Sequence, residues 1–579
     1  MASSPTISKT GNNDQTTRTR TASATEPQQL GTPTSASTIS TIKPSANTMA
    51  EMKTEEFTST TNTNKFLTSN PPLTFHRHTH QNKVYYTSAH QTSLRNSLLS
   101  LVGFLELANA CDFAANVFND IPVPTFAAAL MGIGGCVALF FAAVAIQDAR
   151  LSWRNIRLLR DERRILLDLL HHATPNLDAE KATSPKTALK VYKDVNQFEL
   201  LTEIIDRFLM DVTMGFGATL VGAGTLMAIG GANPRVFEAS NLLSGYIGNS
   251  PAAAYGVLRA FWSIYVWRRS SRHQSAARRQ PIVPGGAFFQ RYTRVKVYAF
   301  LAGPTSLVAG AASMITATMW EGYTVLVPCI VLSWVCNFLY RRQIGYTRPL
   351  FLLDGQCACS DDEKDGQRVA GSEFLQQFSL DRLLEELDQT SVLKEALELD
   401  DKRRTRKTKA RTSQDTEQAE SKLEEGVDCN VEQMSAHGVI HLLTTLGLVE
   451  KFFKHLLSST STTASKDTGL ANFTLSTILS DQTSSSITIP NPQYVLSNLV
   501  SSLPMPFGNT LSSPEENDDE AEKDSLPPQQ MQVQALNLAR AVLSAHGALH
   551  ATYRERYLIE FTGCWIHHLN EEQNQKCEK

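Results

Sequence analysis

Long apolar runs alternate with polar segments through the middle of the chain, from about residue 98 to residue 340. A helix crosses the hydrocarbon core of a bilayer when roughly 20 consecutive residues are mostly apolar. Six windows meet this requirement: Leu98–Phe118, Thr125–Ile146, Met210–Gly230, Gly245–Trp267, Val297–Thr318 and Tyr323–Tyr340. The pattern predicts an all-α fold, a polytopic transmembrane helix bundle of about six spans that occupies residues 95–348.

Two of these windows are weaker, because the first carries two acidic residues and the fourth carries Arg259. The flanking charges support the fourth window as a membrane span. Eight basic and no acidic residues lie within Arg268–Lys296, whereas residues 119–124 contain no basic residue. Basic loops stay in the cytoplasm, and removing the fourth window would place these two segments on the same side. Six spans put both termini in the cytoplasm, and five spans with an external N-terminus are the alternative. A soluble bundle is disfavoured, because Val137–Ala145 and Val325–Val335 are apolar on all faces.

The two ends of the chain are polar and are predicted to be largely disordered. Residues 1–94 form a Ser- and Thr-rich tail with too few large apolar side chains to offset the entropy of ordering. Residues 349–579 are expected in the cytoplasm, with short amphipathic helices at 373–399, 433–457 and 531–568 between disordered linkers. This C-terminal region is the predicted place for protein partners.

Two basic segments are candidates for contact with the lipid bilayer. Arg150–Arg164 carries an apolar stripe and would bind an anionic leaflet, or it extends the second span into the cytosol. Lys402–Arg411 would also bind anionic lipid, or it is a solvated disordered charge run. The net charge of -3 gives no indication of a nucleic-acid partner.

Ionisable side chains inside apolar windows are candidates for a functional site, because such groups are costly in a membrane and usually face the bundle interior. Glu106 and Asp112 lie in the first window, and Arg259 lies near the middle of the fourth. One hypothesis is a polar pathway or ligand site in which Arg259 pairs with Glu106 or Asp112. The alternatives are a structural ion pair, or a first helix that lies partly in the membrane interface with its acids in water.

A short repeat places two histidines one helical turn apart at two positions in the C-terminal region. Ser435-Ala-His-Gly-Val-Ile-His441 recurs as Ser544-Ala-His-Gly-Ala-Leu-His550. Four ring nitrogens would be available to Zn²⁺ if the copies met, those of His437, His441, His546 and His550. Two packed amphipathic helices with solvent-facing histidines are the alternative that we adopt, so no metal and no cofactor is predicted. No P-loop, GxSxG or HExxH motif indicates an enzyme.

The stretch Asn241-Leu-Leu-Ser-Gly-Tyr-Ile-Gly-Asn-Ser-Pro251, with Asn119-Asp-Ile-Pro-Val-Pro124, resembles uncharacterised polytopic integral membrane proteins of filamentous fungi. The resemblance covers roughly residues 95–350 and neither end of the chain. It implies a membrane location, and it assigns no activity and no functional residue. With the large polar C-terminal region, the sequence predicts a membrane scaffold, signalling or organising protein. The alternative is a transporter or channel that uses Glu106, Asp112 and Arg259.

Overall fold

The computed structural model describes residues 73–80, 83–89, 91, 93–94, 100–118, 123–172, 183–280, 285–350, 379–412, 431, 434–462, 486–489, 492, 494–496 and 528–578, to which the structural statements below refer. Four helices are long and apolar enough to cross a membrane: Thr125–His171, Lys186–Ala228, Gly286–Ile315 and Gly322–Ile344. They coincide with four of the six predicted windows. The helical class of the chain is therefore confirmed, together with four candidate spans.

Residues 100–344 form what we call the helix bundle. Its helices are α1 Leu105–Ala108, α2 Phe113–Val117, α3 Thr125–His172, α4 Thr183–Thr202, α5 Met210–Ala228, α6 Pro234–Asn241, α7 Gly248–Arg278, α8 Gly285–Ile315 and α9 Gly322–Leu339. Three π-helical turns interrupt or end them: Glu203–Leu209 joins α4 to α5, Leu242–Ile247 joins α6 to α7, and Tyr340–Ile344 follows α9. A π turn inserts a residue into the helical repeat, so it re-aims the side chains around it.

Glycines allow these helices to approach one another closely. A Cβ atom added at Gly217 of α5 would lie 2.7 Å from the carbonyl oxygen of Gly248 in α7. One added at Gly310 of α8 would lie 2.8 Å from the Cα atom of Ala253 in α7. Helices in lipid associate through such close backbone contact, because burial of apolar surface gives no driving force there.

The fourth predicted window lies in α7, which is not among the four most apolar helices because its inner face is polar. Arg259, Ser263 and Arg269 are buried on that face. Its outer face is apolar, with Phe261 exposed by 67% and Ile264 by 50%. Exposed apolar side chains continue over the neighbouring helices, among them Phe126, Ile133, Phe140, Phe216, Phe300 and Val331. Monomeric soluble proteins rarely expose so continuous an apolar surface, which suits contact with lipid.

The first predicted window is not one continuous helix, which corrects the prediction of a regular first span. It consists of the 3-10 turn Ser100–Phe104 followed by α1 and α2, which are four and five residues long. Glu106, Asn109 and Asp112 interrupt its apolar sequence, and all three are buried. The segment is covered by protein on its polar side, whereas Leu107 and Phe113 on its other side are exposed by 36% and 40%.

This broken segment nevertheless runs along the length of α9. Gly103 packs against Asn337 near the C-terminal end of α9, and Asp112 accepts a hydrogen bond from the Tyr323 hydroxyl at the N-terminal end. The two contacts are about 21 Å apart along the α9 axis at the usual rise per residue. The segment thus extends along α9 from one end of the bundle towards the other.

Elements from both ends of the chain build a second core, which we call the C-terminal module. The antiparallel strands β1 Leu73–His80, β2 Lys83–Ser88 and β5 Ser486–Ile489 form a sheet in the order β2-β1-β5. The helices are α10 Leu380–Thr412, α11 Ala436–Thr445, α12 Val449–Thr462 and α13 Pro528–Glu578. Phe75, Phe452 and Leu543 are buried between them. Strands β3 Ser93–Leu94 and β4 Arg348–Pro349 pair separately.

The structure corrects three predictions for the ends of the chain. Residues 73–94 were assigned to the disordered tail, but they contain β1, β2 and β3, because Leu73 and Phe75 find apolar partners in distant elements of the module. The predicted short helix at 531–568 is the 51-residue α13. Lys402–Arg411, predicted as a disordered charge run, continues α10, where Arg404 pairs with Asp400 at 3.2 Å. The segment 373–378 lies outside the described residues.

Helix α13 joins the module to the helix bundle. Its Phe561, Cys564 and Trp565 share a buried cluster with Tyr192 of α4 and Tyr292 of α8. The contact is apolar at its centre, and the ion pairs described below surround it. The module therefore has a fixed docking place at one end of the bundle.

Candidate functional site: a buried polar network in the bundle

A group of charged side chains surrounds Arg207 inside the bundle. The π turn that joins α4 to α5 carries Glu203 and Arg207, α3 supplies Asp148, and α5 begins with Asp211. Arg207 Nη1 donates to Glu203 Oε1 at 2.7 Å and to Oε2 at 2.9 Å, and Nη2 lies 3.6 Å from Asp148 Oδ1. Ser152 Oγ also donates to Glu203 Oε2 at 3.1 Å. All four charged side chains are buried.

The charges in this group do not balance. Three carboxylates face one guanidinium, and the side chains of Asp148 and Asp211 lie within hydrogen-bonding reach of each other. Adjacent buried carboxylates repel strongly when both are ionised, so such a pair is suited to share one proton. The arrangement provides a place for a proton inside a bundle of apolar helices.

A cavity of about 70 Å³ adjoins this group, with Glu203 in its wall. One water needs roughly 10–15 Å³ by the same kind of measure, so the cavity has room for several. Helices α4, α7, α8 and α13 and the two π turns at residues 203–209 and 340–344 line it. Its polar lining residues include Glu199, Asp206, Trp262, Arg269, Arg291, Tyr298, Tyr346 and Glu560. Trp262 Nε1 donates to Asp206 Oδ2 at 3.0 Å.

Arg259 is buried between tyrosines rather than in a direct ion pair with the predicted acids. Its Nη1 donates to the Tyr255 hydroxyl at 3.2 Å, and its Nη2 donates to the Tyr298 hydroxyl at 3.0 Å. Glu106 and Asp206 act on it through longer-range electrostatic attraction. Arg259 and Glu106 are thus brought into the same region, without a hydrogen bond between them among the described contacts.

Asp112 belongs to a different polar cluster. Its Oδ1 accepts from the Tyr323 hydroxyl at 2.7 Å, and its Oδ2 accepts from Asn116 Nδ2 at 3.1 Å. Asn116 Nδ2 also lies 2.8 Å from the Tyr323 hydroxyl oxygen, so the three side chains form a closed triangle. The structure therefore does not gather Glu106, Asp112 and Arg259 into one site, and none of the three lines the cavity.

The four histidines of the repeat do not converge in the described part of the chain. His550 Nδ1 donates to the Leu446 carbonyl oxygen at 3.1 Å, which leaves Nε2 to accept from Lys451 Nζ at 2.9 Å. Burial, with the charge of Lys451, lowers the pKa of His550 to about 4. The ring of His546 stacks loosely near that of His455, with centroids 6.4 Å apart. A neutral His550 therefore has a packing role between α12 and α13.

Two networks of buried ion pairs, each containing arginine, join elements that are distant in the sequence. Arg348 binds Glu162 of α3 and Glu199 of α4, with Nη2 at 2.6 Å from an oxygen of each. Glu560 of α13 pairs with Arg269 of α7 and lies 3.9 Å from Arg291 of α8. The first network fixes β4 against α3 and α4. The second fixes α13 against the bundle.

Several of these groups were missed by sequence reasoning. Asp148, Glu203, Asp206 and Glu560 flank the apolar windows, or lie far from them in the chain, so their convergence depends on how the helices pack. The sequence showed that Asp211 lies at the start of the third window, but it did not show that Asp148 lies beside it. A polar residue that directly follows an apolar run was the available signal.

The chain matches no protein-family model, no curated protein and no solved structure.

Proposed function

We propose that this chain is a multi-pass integral membrane protein whose interior first segment completes six crossings, with both termini in the cytoplasm. Three observations support this topology. The bundle exposes a broad apolar surface, the segment 100–118 extends along α9, and exposed arginines of α3 follow its apolar part at Arg150, Arg154 and Arg157. Basic side chains at the end of the bundle that bears the C-terminal module accord with a cytoplasmic face.

Within this topology we propose a scaffold or signalling function, in which the C-terminal module is held at a fixed orientation to the membrane. The docking of α13 carries this proposal. Glu560 lies between Arg269 and Arg291, while Phe561 and Trp565 are buried against the bundle. Desolvated charge pairs and buried aromatic side chains are the contacts that dominate stable interfaces. A docked module presents a constant surface to protein partners, and the exposed arginines of α3 would bind anionic lipid.

A crosslink across the docked interface tests this proposal. Lys190 Nζ of α4 lies 3.7 Å from Glu572 Oε1 of α13 at the surface. We would introduce Lys190→Cys and Glu572→Cys, insert a protease site at residue 366, and replace the other accessible cysteines with serine. After oxidation in membranes and proteolysis, the two halves of the chain should remain joined on a non-reducing gel and separate on reduction.

The matched control pairs Lys190→Cys with Asn574→Cys, which lies two residues further along α13 and so on a different face of that helix. It should crosslink far less. Equal crosslinking of the two pairs, or none with the first pair, would contradict docking. The intact protein should also stay in the membrane pellet after an alkaline carbonate wash, and its release would contradict the six-crossing topology.

A second candidate function, ion or solute transport, is favoured by the cavity and by the adjoining Asp148–Asp211 pair. Ionisable groups inside bundles mark proton and substrate pathways in many transporters. In proteoliposomes with an imposed pH gradient and a pH-sensitive dye inside, Asp211→Asn should slow proton entry. Exposed Glu238→Gln is the control that should leave the rate unchanged. Equal rates for empty vesicles and for the unaltered protein would exclude proton transport.

A further inference from the structure

A second polar cluster lies apart from the cavity, at the contact between α4 and α13. Asp194 projects from α4, and Cys564 and His568 project from α13. One possible metal-ligand atom from each lies within 4.8 Å of the other two. Cys564 is buried, and the other two side chains are half-buried. The cluster therefore combines a sulfur, a nitrogen and an oxygen ligand at one point that solvent can reach.

The backbone geometry places these groups suitably for a shared ion. Cys564 and His568 are one helical turn apart, so they lie on the same face of α13. His568 Nε2 is 2.7 Å from Asp194 Oδ2, which brings the third ligand across from the other helix. Tetrahedral Zn²⁺ binds nitrogen and oxygen at about 2.0–2.2 Å and sulfur at about 2.3 Å, so its ligand atoms are roughly 3.3–3.6 Å apart. Side-chain rotations that move each ligand atom by about 1 Å would convert the present spacing into that arrangement.

We propose that Asp194, Cys564 and His568 form a binding site for a divalent transition-metal ion of the Zn²⁺ type, with water as the fourth ligand. Thiolate, imidazole and carboxylate are side-chain groups that bind Zn²⁺. Three of them, with water as the fourth ligand, complete a tetrahedral coordination shell. This proposal does not depend on the scaffold function.

The charges and protons of the binding step balance. Zn²⁺ displaces the thiol proton of Cys564 to solvent, and the resulting thiolate and the Asp194 carboxylate neutralise the two charges of the ion. Because the ligand is the thiolate, binding releases one proton. The charge of the neighbouring Arg269 is balanced by its ion pair with Glu560.

A bound ion would link the helix bundle to the C-terminal module directly. The site lies beside the apolar cluster of Tyr192, Phe561 and Trp565, which shields one side of it from water. An ion here would add a coordinate link across the same interface that Glu560 holds by ion pairing. Metal binding would therefore stabilise the docked position of α13.

Cobalt spectroscopy of the purified full-length chain in detergent tests the site. Five cysteines that are exposed or lie outside the described residues are first replaced by serine: Cys136, Cys357, Cys359, Cys429 and Cys577. One equivalent of Co²⁺ should then give a near-ultraviolet thiolate-to-metal charge-transfer band and the intense visible bands of tetrahedral coordination. Added Zn²⁺ should remove both. Absence of these bands in this background would overturn the proposal.

The variants separate this site from the remaining cysteines. Cys564→Ser should abolish the charge-transfer band, whereas Cys336→Ser, at a buried cysteine of α9, should leave it intact. His568→Gln retains the sulfur but should weaken Zn²⁺ binding by at least about 100-fold, because even loss of an outer-shell partner costs roughly 10–100-fold. A band that persists in Cys564→Ser, or unchanged affinity in His568→Gln, would refute the site. If Cys564→Ser elutes as aggregate, the affinity of His568→Gln decides the outcome.

Discussion

Arg348 offers the sharpest test of how buried charge stabilises this structure. Its guanidinium donates to Glu162 Oε1 at 2.7 Å and to Glu162 Oε2 at 2.6 Å, and to Glu199 Oε2 at 2.8 and 2.6 Å. The three side chains are almost inaccessible to water. The Tyr346 hydroxyl donates to Glu199 Oε1 at 2.8 Å, and Asn196 Nδ2 also donates to Glu162 Oε2 at 2.7 Å. One guanidinium therefore compensates two buried carboxylates.

The substitution Arg348→Met keeps most of the side-chain volume but leaves both carboxylates without their cation. Removal of one partner from a buried ion pair costs about 3–5 kcal/mol. Because two carboxylates lose their partner here, we expect the upper part of that range, about 5 kcal/mol. One kcal/mol shifts the Tm of a domain of 150–250 residues by roughly 2–4 °C, so a loss of about 5 kcal/mol should lower the Tm by roughly 10–20 °C.

Thermal unfolding of the purified chain in detergent, followed by circular dichroism, measures this loss. Arg164→Met is the matched control, because Arg164 pairs with Asp161 at 3.3 Å while its side chain is 81% exposed. Such surface pairs contribute about 0–1 kcal/mol. The triple variant that adds Glu162→Gln and Glu199→Gln should recover much of the stability, since no buried charge is then left unpaired. A loss for Arg348→Met no larger than that of the control would refute the reasoning.

Three further changes probe other parts of the molecule. Gly217→Val should lower the Tm because its side chain would meet the Gly248 backbone, whereas Gly132→Val should not, since nothing lies within 4 Å of that position. His550 is held neutral with a pKa of about 4, below its usual 6.5, so the module should lose stability as the pH falls from about 6.5 to 4. His550→Gln should flatten that pH profile of the Tm. Arg259→Leu should lower the Tm in detergent, because the Tyr255 and Tyr298 hydroxyls lose the buried guanidinium that donates to them.

The sequence was sufficient to locate the apolar helices because lipid imposes one simple requirement on length and composition. It was insufficient where polar and apolar residues mix within one element. Residues 100–118 contain enough apolar side chains for a helix, but buried Glu106, Asn109 and Asp112 accompany a turn between α1 and α2. In the apolar part of α7, Arg259 and Ser263 are buried on the inner face, which composition averaged around the helix does not show.

The candidate sites were less predictable than the helices because they depend on contacts across long stretches of chain. Cys564 and His568 show the spacing of a helical ligand pair in the sequence itself, but Asp194 comes from a helix 370 or more residues earlier. Likewise, the partner of Asp211 is Asp148 on another helix. The spacing of residues along a helix shows which of them share a face, but it does not show which helix faces pack against each other.

The positions of the charged groups separate two roles for polarity in this protein. Arg348 with its two glutamates, and Arg269 with Glu560, join elements distant in sequence through buried ion pairs, as expected of groups that fix a structure. Asp211 differs, because neither carboxylate oxygen has a hydrogen-bond partner when the side chain is ionised. Buried polar groups left unsatisfied are costly, and proteins keep them mainly where a proton, ion or substrate completes them. Arg269 with Glu560 holds α13 on the bundle and Arg348 holds β4 against α3 and α4, whereas Asp211 is the position at which the proposed proton pathway is best tested.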